Sequence, residues 1–305
     1  MRAAFSKTLA DIARADPRVL LLTGDHGYAL FDEFRKACPG QYINAGIAEQ
    51  NMIGVAAGLA RAGFRPYVYG LSAFVPIRVL EQIKIDLAHD SLPVVLIGDG
   101  AGFVYSHLGT SHQSTEDIAA TRALANLQVY SPADRHELTR CLELSVQATT
   151  TIYLRVGKAD RGDVHPGPVK ANVGDLLQVR QGAGELVFLA TGSMTRTALD
   201  IAEQAFPDAT VWSAPFIKPI DEAQIIRIAR EARRIICLEE HSVHAGFGSL
   251  VAELATEHAP TRVLRIGVQD RFSKACGTYE YLLQEHGLDA HSVTQRIGRF
   301  MQPSP

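Results

Sequence analysis

Short apolar runs rich in β-branched residues alternate along this chain with longer stretches in which apolar residues return every three or four positions. The runs "RVLLLTG", "RPYVYG", "LPVVLIGDG", "LQVYSP" and "TIYLRVG" predict strands, and "IRVLEQIKIDLA" among them has the spacing of an amphipathic helix. Such alternation implies parallel strands joined by crossover helices. In "VGKADRGDVHPGPVKANVG" the periodicity lapses into Gly, Pro and charge, the signature of an interdomain connection. A second α/β series follows, with strands in "ELVFLATG", "ATVWSAP", "RIICLEE" and "RVLRIGV" and helices near Thr195 to Ala205 and Gly248 to His258. The pattern therefore predicts two consecutive parallel-sheet α/β domains, 1–162 and 180–305, joined by a linker at 163–179. No internal repeat or low-complexity segment interrupts it.

Composition narrows the class. With 305 residues, 47% hydrophobic and 21% charged, the chain is long enough for one large or two medium globular domains. A net charge of −3 provides no electrostatic footprint for nucleic acid or an anionic membrane. Cys38, Cys141, Cys237 and Cys276 lie far apart without C-x-x-C spacing, so neither a zinc site nor a disulfide framework is expected. The first residues, "MRAAFSKTLADIARADPRV", are broken by Lys7, Asp11 and Arg14 and make no secretory h-region, and no stretch approaches the roughly 18 apolar residues of a membrane span. The expected location is the cytoplasm.

Two local features bear on chemistry. "IGDG" with Asn126 further on superficially fits the Asp…Asn pattern that holds magnesium on a diphosphate. In that pattern the asparagine ends the following strand, whereas Asn126 precedes "LQVYSP" and belongs at the strand's other end, so Asp99 and Asn126 read as a decoy. The second feature is "NAGIAEQNMIGVAAGLA", an apolar helix that carries Glu49 near its start. An ionised carboxylate there is solvent-facing and favoured by the helix dipole, capping, or held for a ligand.

The ordered motifs "INAGIAEQNMIGVAAGLA", "AFVPIRVLEQIKIDLAHDSLPVVLIGDGAGFVYSHLGTSHQSTEDIA" and "QVYSPAD" resemble the pyrimidine-binding domain of transketolase. "LATGSMTRTALDIA", "LEEHSVHAGFGSLVAEL" and "IGVQDRF" are similar to the transketolase carboxy-terminal domain. The resemblance is nearest to the split transketolases, in which the diphosphate-binding domain is a separate polypeptide. It implies thiamine diphosphate and Mg2+ as cofactors, the metal held mainly by that partner subunit. It also implies an α2β2 assembly and transfer of a two-carbon ketol unit from a ketose to an aldose.

By the same resemblance, Glu49 contacts N1′ of the aminopyrimidine and favours the tautomer that activates the cofactor. The small residues Gly54, Ala56, Ala57 and Gly58 suit close packing on a neighbour, in the family the partner subunit. Phe74 is the expected aromatic against the aminopyrimidine, with Tyr69 as a substitute. His112 of "GTSHQ" matches a histidine that contacts substrate oxygens, and His107 can reach the same pocket. Arg155 of "YLRVGK" and Arg2 match arginines that bind a substrate phosphate. Asp25 matches an acidic residue at the first strand end, expected near the cofactor, and equally suits a helix cap. His26 and His241 are further polar residues without an expected catalytic part.

The chain departs from the full-length enzymes in two places. Gly100 stands where they have a histidine, and Leu108 where they have an acidic residue. The sugars, and whether they carry phosphate, are therefore open. The β subunit of a 2-oxo acid dehydrogenase, a 1-deoxyxylulose-5-phosphate synthase half and a noncatalytic supporting subunit are the competing assignments.

Overall fold

The computed structural model describes residues 1–27, 29–157 and 161–302. Strands β1 (Val19–Thr23), β2 (Tyr42–Asn44), β3 (Arg65–Leu71), β4 (Val95–Asp99), β5 (Leu127–Tyr130) and β6 (Thr151–Val156) build the first sheet. The second half supplies β7 (Leu177–Arg180), β8 (Leu186–Ala190), β9 (Thr210–Ser213), β10 (Phe216–Lys218), β11 (Arg234–Ser242) and β12 (Arg262–Val268). All nine sequence-expected strands form, and the expected helices occupy Met194–Ala205 and Phe247–His258. Of the expected connection, 158–160 lies outside the described residues, as does the carboxy-terminal 303–305.

The first sheet runs β10-β5-β6-β4-β3-β1-β2, parallel throughout except for β10, and the second runs β12-β11-β8-β9-β7, parallel except for β7. Strands β1, β4 and β6 are buried at every position, the condition of a parallel sheet covered by helices on both faces. On one face, Met52, Ile53 and Ala56 of the helix Glu49–Arg61 meet Val79, Ile83 and Leu87. Those three come from "IRVLEQIKIDLA", which forms a 3-10 turn, one α turn and then a wider π-helical segment, Ile83–Ala88.

Three strands escaped the sequence reading. Strand β2 has three residues, and β7 straddles the end of the expected linker. Strand β10 comes from the second half of the chain yet pairs antiparallel with β5 of the first sheet. There Phe216 packs edge-on against Tyr130 at 4.9 Å, and the Lys218 ammonium donates to the carbonyls of Arg122 and Leu124. The two sheets also share one apolar core, which joins Leu96 and Val129 of the first to Leu189 and Ile235 of the second. They are packed as one body. Among the described residues, no helix is long and apolar enough to cross a membrane.

Parallel register delivers the carboxy ends of β1, β2, β3, β4 and β6 to one edge of the first sheet, where Thr23 lies opposite Asn44, Leu71 opposite Asp99, and Asp99 opposite Val156. Ligands of open α/β sheets bind at such an edge. Asn126 lies immediately before β5, at the opposite edge from Asp99, so the two cannot share a metal ion.

Candidate active site

The loop after β2 turns at Gly46 (φ 72°), and the helix Glu49–Arg61 begins at once. Asn44 fixes that turn: its side-chain carbonyl accepts from the Gly46 amide at 2.9 Å and from the Asp25 amide at 3.2 Å. Glu49 thus sits in the first helical turn, where the dipole favours its charge, with its side chain only 7% exposed. Burial excludes the solvent-facing alternative. Arg78 donates to Glu49 Oε1 at 3.0 Å, and the Arg78 guanidinium lies 4.0 Å above the centroid of Phe74. The other neighbour of Phe74 is His112, edge-on at 5.3 Å, whose Nδ1 is 2.9 Å from Ser111 Oγ. Glu49 from a helix start and Phe74 and His112 from two separate loops therefore form one continuous surface.

This surface fits a flat heteroaromatic ring with a hydrogen-bonding edge. A planar, N–H-bearing guanidinium already lies on Phe74 while bonding Glu49, so the face and the carboxylate are set at the separation such a ring requires. Tyr69 is not a substitute stacking face. Its ring is buried against Phe31 at 4.8 Å, and its hydroxyl donates to Asp99 Oδ2 at 2.8 Å. Burial, then the Asp99 charge, raises the Tyr69 hydroxyl pKa well above the ordinary range and keeps it a donor.

The remaining expected residues divide. Arg2 reaches this edge, its guanidinium 3.9 Å from Asp99 Oδ2, which also accepts from Tyr105 at 2.9 Å. Asp25 is exposed just after β1, with a positive φ of 59°, and receives the Asn44 amide at 3.3 Å, so it ties two strand ends together. His107 is exposed on the Ser106–Leu108 turn of the His112 loop. His26 lies beside Tyr69 at 5.8 Å, and its Nε2 is buried with no hydrogen-bond partner among the described residues.

Arg155 requires a correction. It was expected to bind a substrate phosphate at the strand end, yet it is 2% exposed. Its Nε donates to Asp117 Oδ2 at 2.7 Å, and one terminal nitrogen donates to the carbonyls of Glu240 at 2.7 Å and Ser114 at 3.3 Å. Its neighbours on adjoining β-strands and loops close over it, and its fork joins the two domains. Buried His241 belongs to the same junction: it accepts from the Ala119 amide at Nε2 and donates from Nδ1 to the Ser242 carbonyl, while burial lowers its pKa to about 4 and keeps it neutral.

The sequence reading missed the groups that hold the His112 loop. Glu240, buried in the second domain, accepts from the Phe103 amide at 2.6 Å and from the hydroxyls of Ser193 and Tyr279. Ser273 donates to Gln113 beside His112 at 2.9 Å, and the Ser242 amide donates to the Thr115 carbonyl at 2.7 Å. Only a long-range fold could reveal these contacts. Arg78 was legible in principle, as a lone cation four positions after Phe74.

An α/β chain with this reactive edge and a second α/β domain bracing its loop belongs to a recognisable class of enzyme subunit. Residues 1–161 match the family "Transketolase, pyrimidine binding domain", and 174–293 match "Transketolase, C-terminal domain". The chain belongs to the transketolase family, whose members depend on thiamine diphosphate. It is similar to an apulose-4-phosphate transketolase subunit of Phocaeicola vulgatus, at 31% identity over 99% of this chain and 97% of that one. A 6-deoxy-6-sulfo-D-fructose transketolase subunit of Clostridium sp. is 31% identical over 97% and 95%. The 1-deoxy-D-xylulose-5-phosphate synthase of Neisseria gonorrhoeae is 35% identical over 97% of this chain, which spans 46% of that protein. Among solved structures, "Split gene transketolase, inactive beta4 tetramer" superposes with a TM-score of 0.90 at 31% identity, over 98% of this chain and 97% of that one. The transketolase of Campylobacter jejuni shares the fold at a TM-score of 0.77 and 18% identity, over 98% of this chain and 46% of that one.

Proposed function

We propose that this chain is the pyrimidine-binding half of a split transketolase that moves a two-carbon ketol unit from a ketose donor to an aldose acceptor. The observation that carries the reading is Glu49, a buried carboxylate in a helix's first turn, joined through the Arg78 guanidinium to the face of Phe74. When bound, thiamine diphosphate supplies a carbon nucleophile able to add to a sugar carbonyl. Glu49 hydrogen-bonds N1′ of the aminopyrimidine and holds it in the tautomer with a basic exocyclic nitrogen. Phe74 orients and desolvates the ring. His112, with its Nδ1 engaged by Ser111, presents Nε2 to substrate oxygens, and His107 and Arg2 flank the sugar's path. Asp25 closes the cofactor side of the same edge.

A separate diphosphate-binding subunit, which holds Mg2+, completes the site in an α2β2 assembly in the cytoplasm. The exposed side of the helix Glu49–Arg61 supports this arrangement, since Gly54 and Gly58 leave open space and Val55 and nearby Ile47 are exposed apolar residues. Relatives named for apulose-4-phosphate and for a sulfonated fructose support a sugar with an anionic group at its far end. The related inactive β4 tetramer supports the expectation that this chain alone assembles without turning over substrate.

The test is reconstitution with the partner subunit and an assay of ketose donors. Activity is expected only in the complex, and Glu49→Gln is expected to lower kcat by about 10²-fold or more. Full activity of Glu49→Gln would overturn the assignment. The 35% identity to a 1-deoxyxylulose-5-phosphate synthase supports one second reading, decarboxylation of a 2-oxo acid and transfer of the acyl unit to an aldehyde. Turnover of pyruvate with none of a ketose would favour it.

A further inference from the structure

Arg78 makes both of the contacts assigned above to the cofactor's pyrimidine. The Arg78 amide bonds the Phe74 carbonyl at 3.0 Å, and this single helical turn brings the two side chains to one face. The guanidinium carbon lies 4.0 Å over the Phe74 centroid, and Nη1 donates to Glu49 Oε1 at 3.0 Å. A guanidinium is flat, carries N–H donors at its rim and stacks on aromatic faces, which are the properties that let an aminopyrimidine use the same pair. Two flat groups cannot occupy one face of one ring. His112 is the other aromatic neighbour of this ring, 5.3 Å from its centroid and inclined to it by 64°.

We propose that Arg78 is a resident stand-in for the pyrimidine, stacked on Phe74 and bonded to Glu49 in the unloaded chain and displaced when the cofactor binds. The proposal rests on the reading of Glu49 and Phe74 as the pyrimidine site. The physical need is plain. Glu49 is 7% exposed, and an ionised carboxylate buried without a partner is strongly unfavourable, so a subunit folded before cofactor binding needs an internal cation there. Arg78 suits the task because its side chain is 45% exposed, and a half-turn of its flexible stem returns the charge to water. The cofactor then competes with the Arg78 contact, and its apparent affinity is reduced by the fraction of the chain in the Arg78-on state.

The experiment uses the complex of this chain with its diphosphate-binding partner, stripped of cofactor and titrated calorimetrically with thiamine diphosphate and Mg2+. It adds the denaturation midpoint of the chain alone. Arg78→Met, which keeps the stem and removes the plane and charge, is expected to tighten cofactor binding by about threefold to tenfold and to lower the isolated chain's midpoint. Arg78→Lys, which keeps the charge without the plane, is expected to fall between wild type and Arg78→Met in both readouts and serves if Arg78→Met does not fold. Unchanged or weaker cofactor binding in a folded Arg78 variant overturns the stand-in. Glu49→Gln and Phe74→Ala separate the two claims. If neither alters cofactor affinity, the pyrimidine-site reading fails whatever Arg78 does.

Discussion

The guanidinium of Arg155 and the carboxylate of Asp117 lie 2.7 Å apart, with side chains 2% and 0% exposed, at the seam where the loop after β4 meets the second domain. Tyr153 donates to the same carboxylate oxygen at 2.7 Å. Removing one member of such a pair leaves the other charge buried, so Arg155→Met or Asp117→Asn is expected to destabilise the chain by about 3–5 kcal/mol, measured by urea denaturation. The double variant is expected to lose less than the two single losses together. A rise in substrate KM with unchanged stability would return Arg155 to the phosphate role.

Gly102 tests the bracing of the His112 loop. At φ 67°, a Cβ there would lie 2.3 Å from Glu240 Oε1, and Glu240 is pinned by Phe103, Ser193 and Tyr279. Gly102→Ala is expected to cost about 1–3 kcal/mol and to lower kcat of the complex, since the loop that carries His112 must shift. Wild-type kcat in this variant would detach the loop from the chemistry.

The buried pair Glu239 and His241 gives two opposed pH dependences. Burial pushes the Glu239 carboxyl up to about 7, against hydrogen bonds from the Gly248 and Phe247 amides. Between its ordinary value of 4.5 and about 7, the folded state holds a proton that the unfolded chain has released, so stability falls as pH rises through that window. His241, lowered from 6.5 to about 4, acts in reverse: acid protonates the unfolded chain first, and stability falls as pH drops from 6.5 to 4. In the wild type the two nearly cancel. Glu239→Gln removes the first and is expected to steepen acid destabilisation between pH 6.5 and 4 by about 1 kcal/mol per pH unit, read from midpoints across that range. An unchanged profile would mean that Glu239 is ionised throughout.

Gly54 separates the subunit from the assembly. Nothing lies within 4 Å of a Cβ placed there, in the middle of the helix Glu49–Arg61. Gly54→Ala is therefore expected to stabilise the isolated chain by up to about 1 kcal/mol through helix propensity and to weaken association with the partner subunit. Sedimentation or native mass of the mixture checks the second half. Equal association would place the partner elsewhere.

These positions also mark the limits of the sequence. The expected strands were readable because each is a mainly apolar run of four or more residues, and the central ones, β1, β4, β6 and β8, are buried at every position under the helices on both faces. Strand β10 was not, since three residues carry no period and its partner β5 lies some 90 positions earlier. Glu49 stood out because a carboxylate on an apolar helix violates local pattern, and the structure answers the violation with Arg78. Arg155 was placed on the right strand end and misread in role. Its identity suits phosphate and carboxylate equally, and only the position of Asp117 chooses between them.

The sequence by itself determined the two α/β units, the strands that carry the reactive edge and the family to which they belong, because burial on both faces and loop chemistry at strand ends are written in local residue patterns. The tertiary structure decided which charges meet: Arg78 with Glu49, Arg155 with Asp117, and Glu240 with the loop that carries His112. Those pairings depend on segments far apart in the chain approaching within hydrogen-bond distance, and no local period encodes such a meeting.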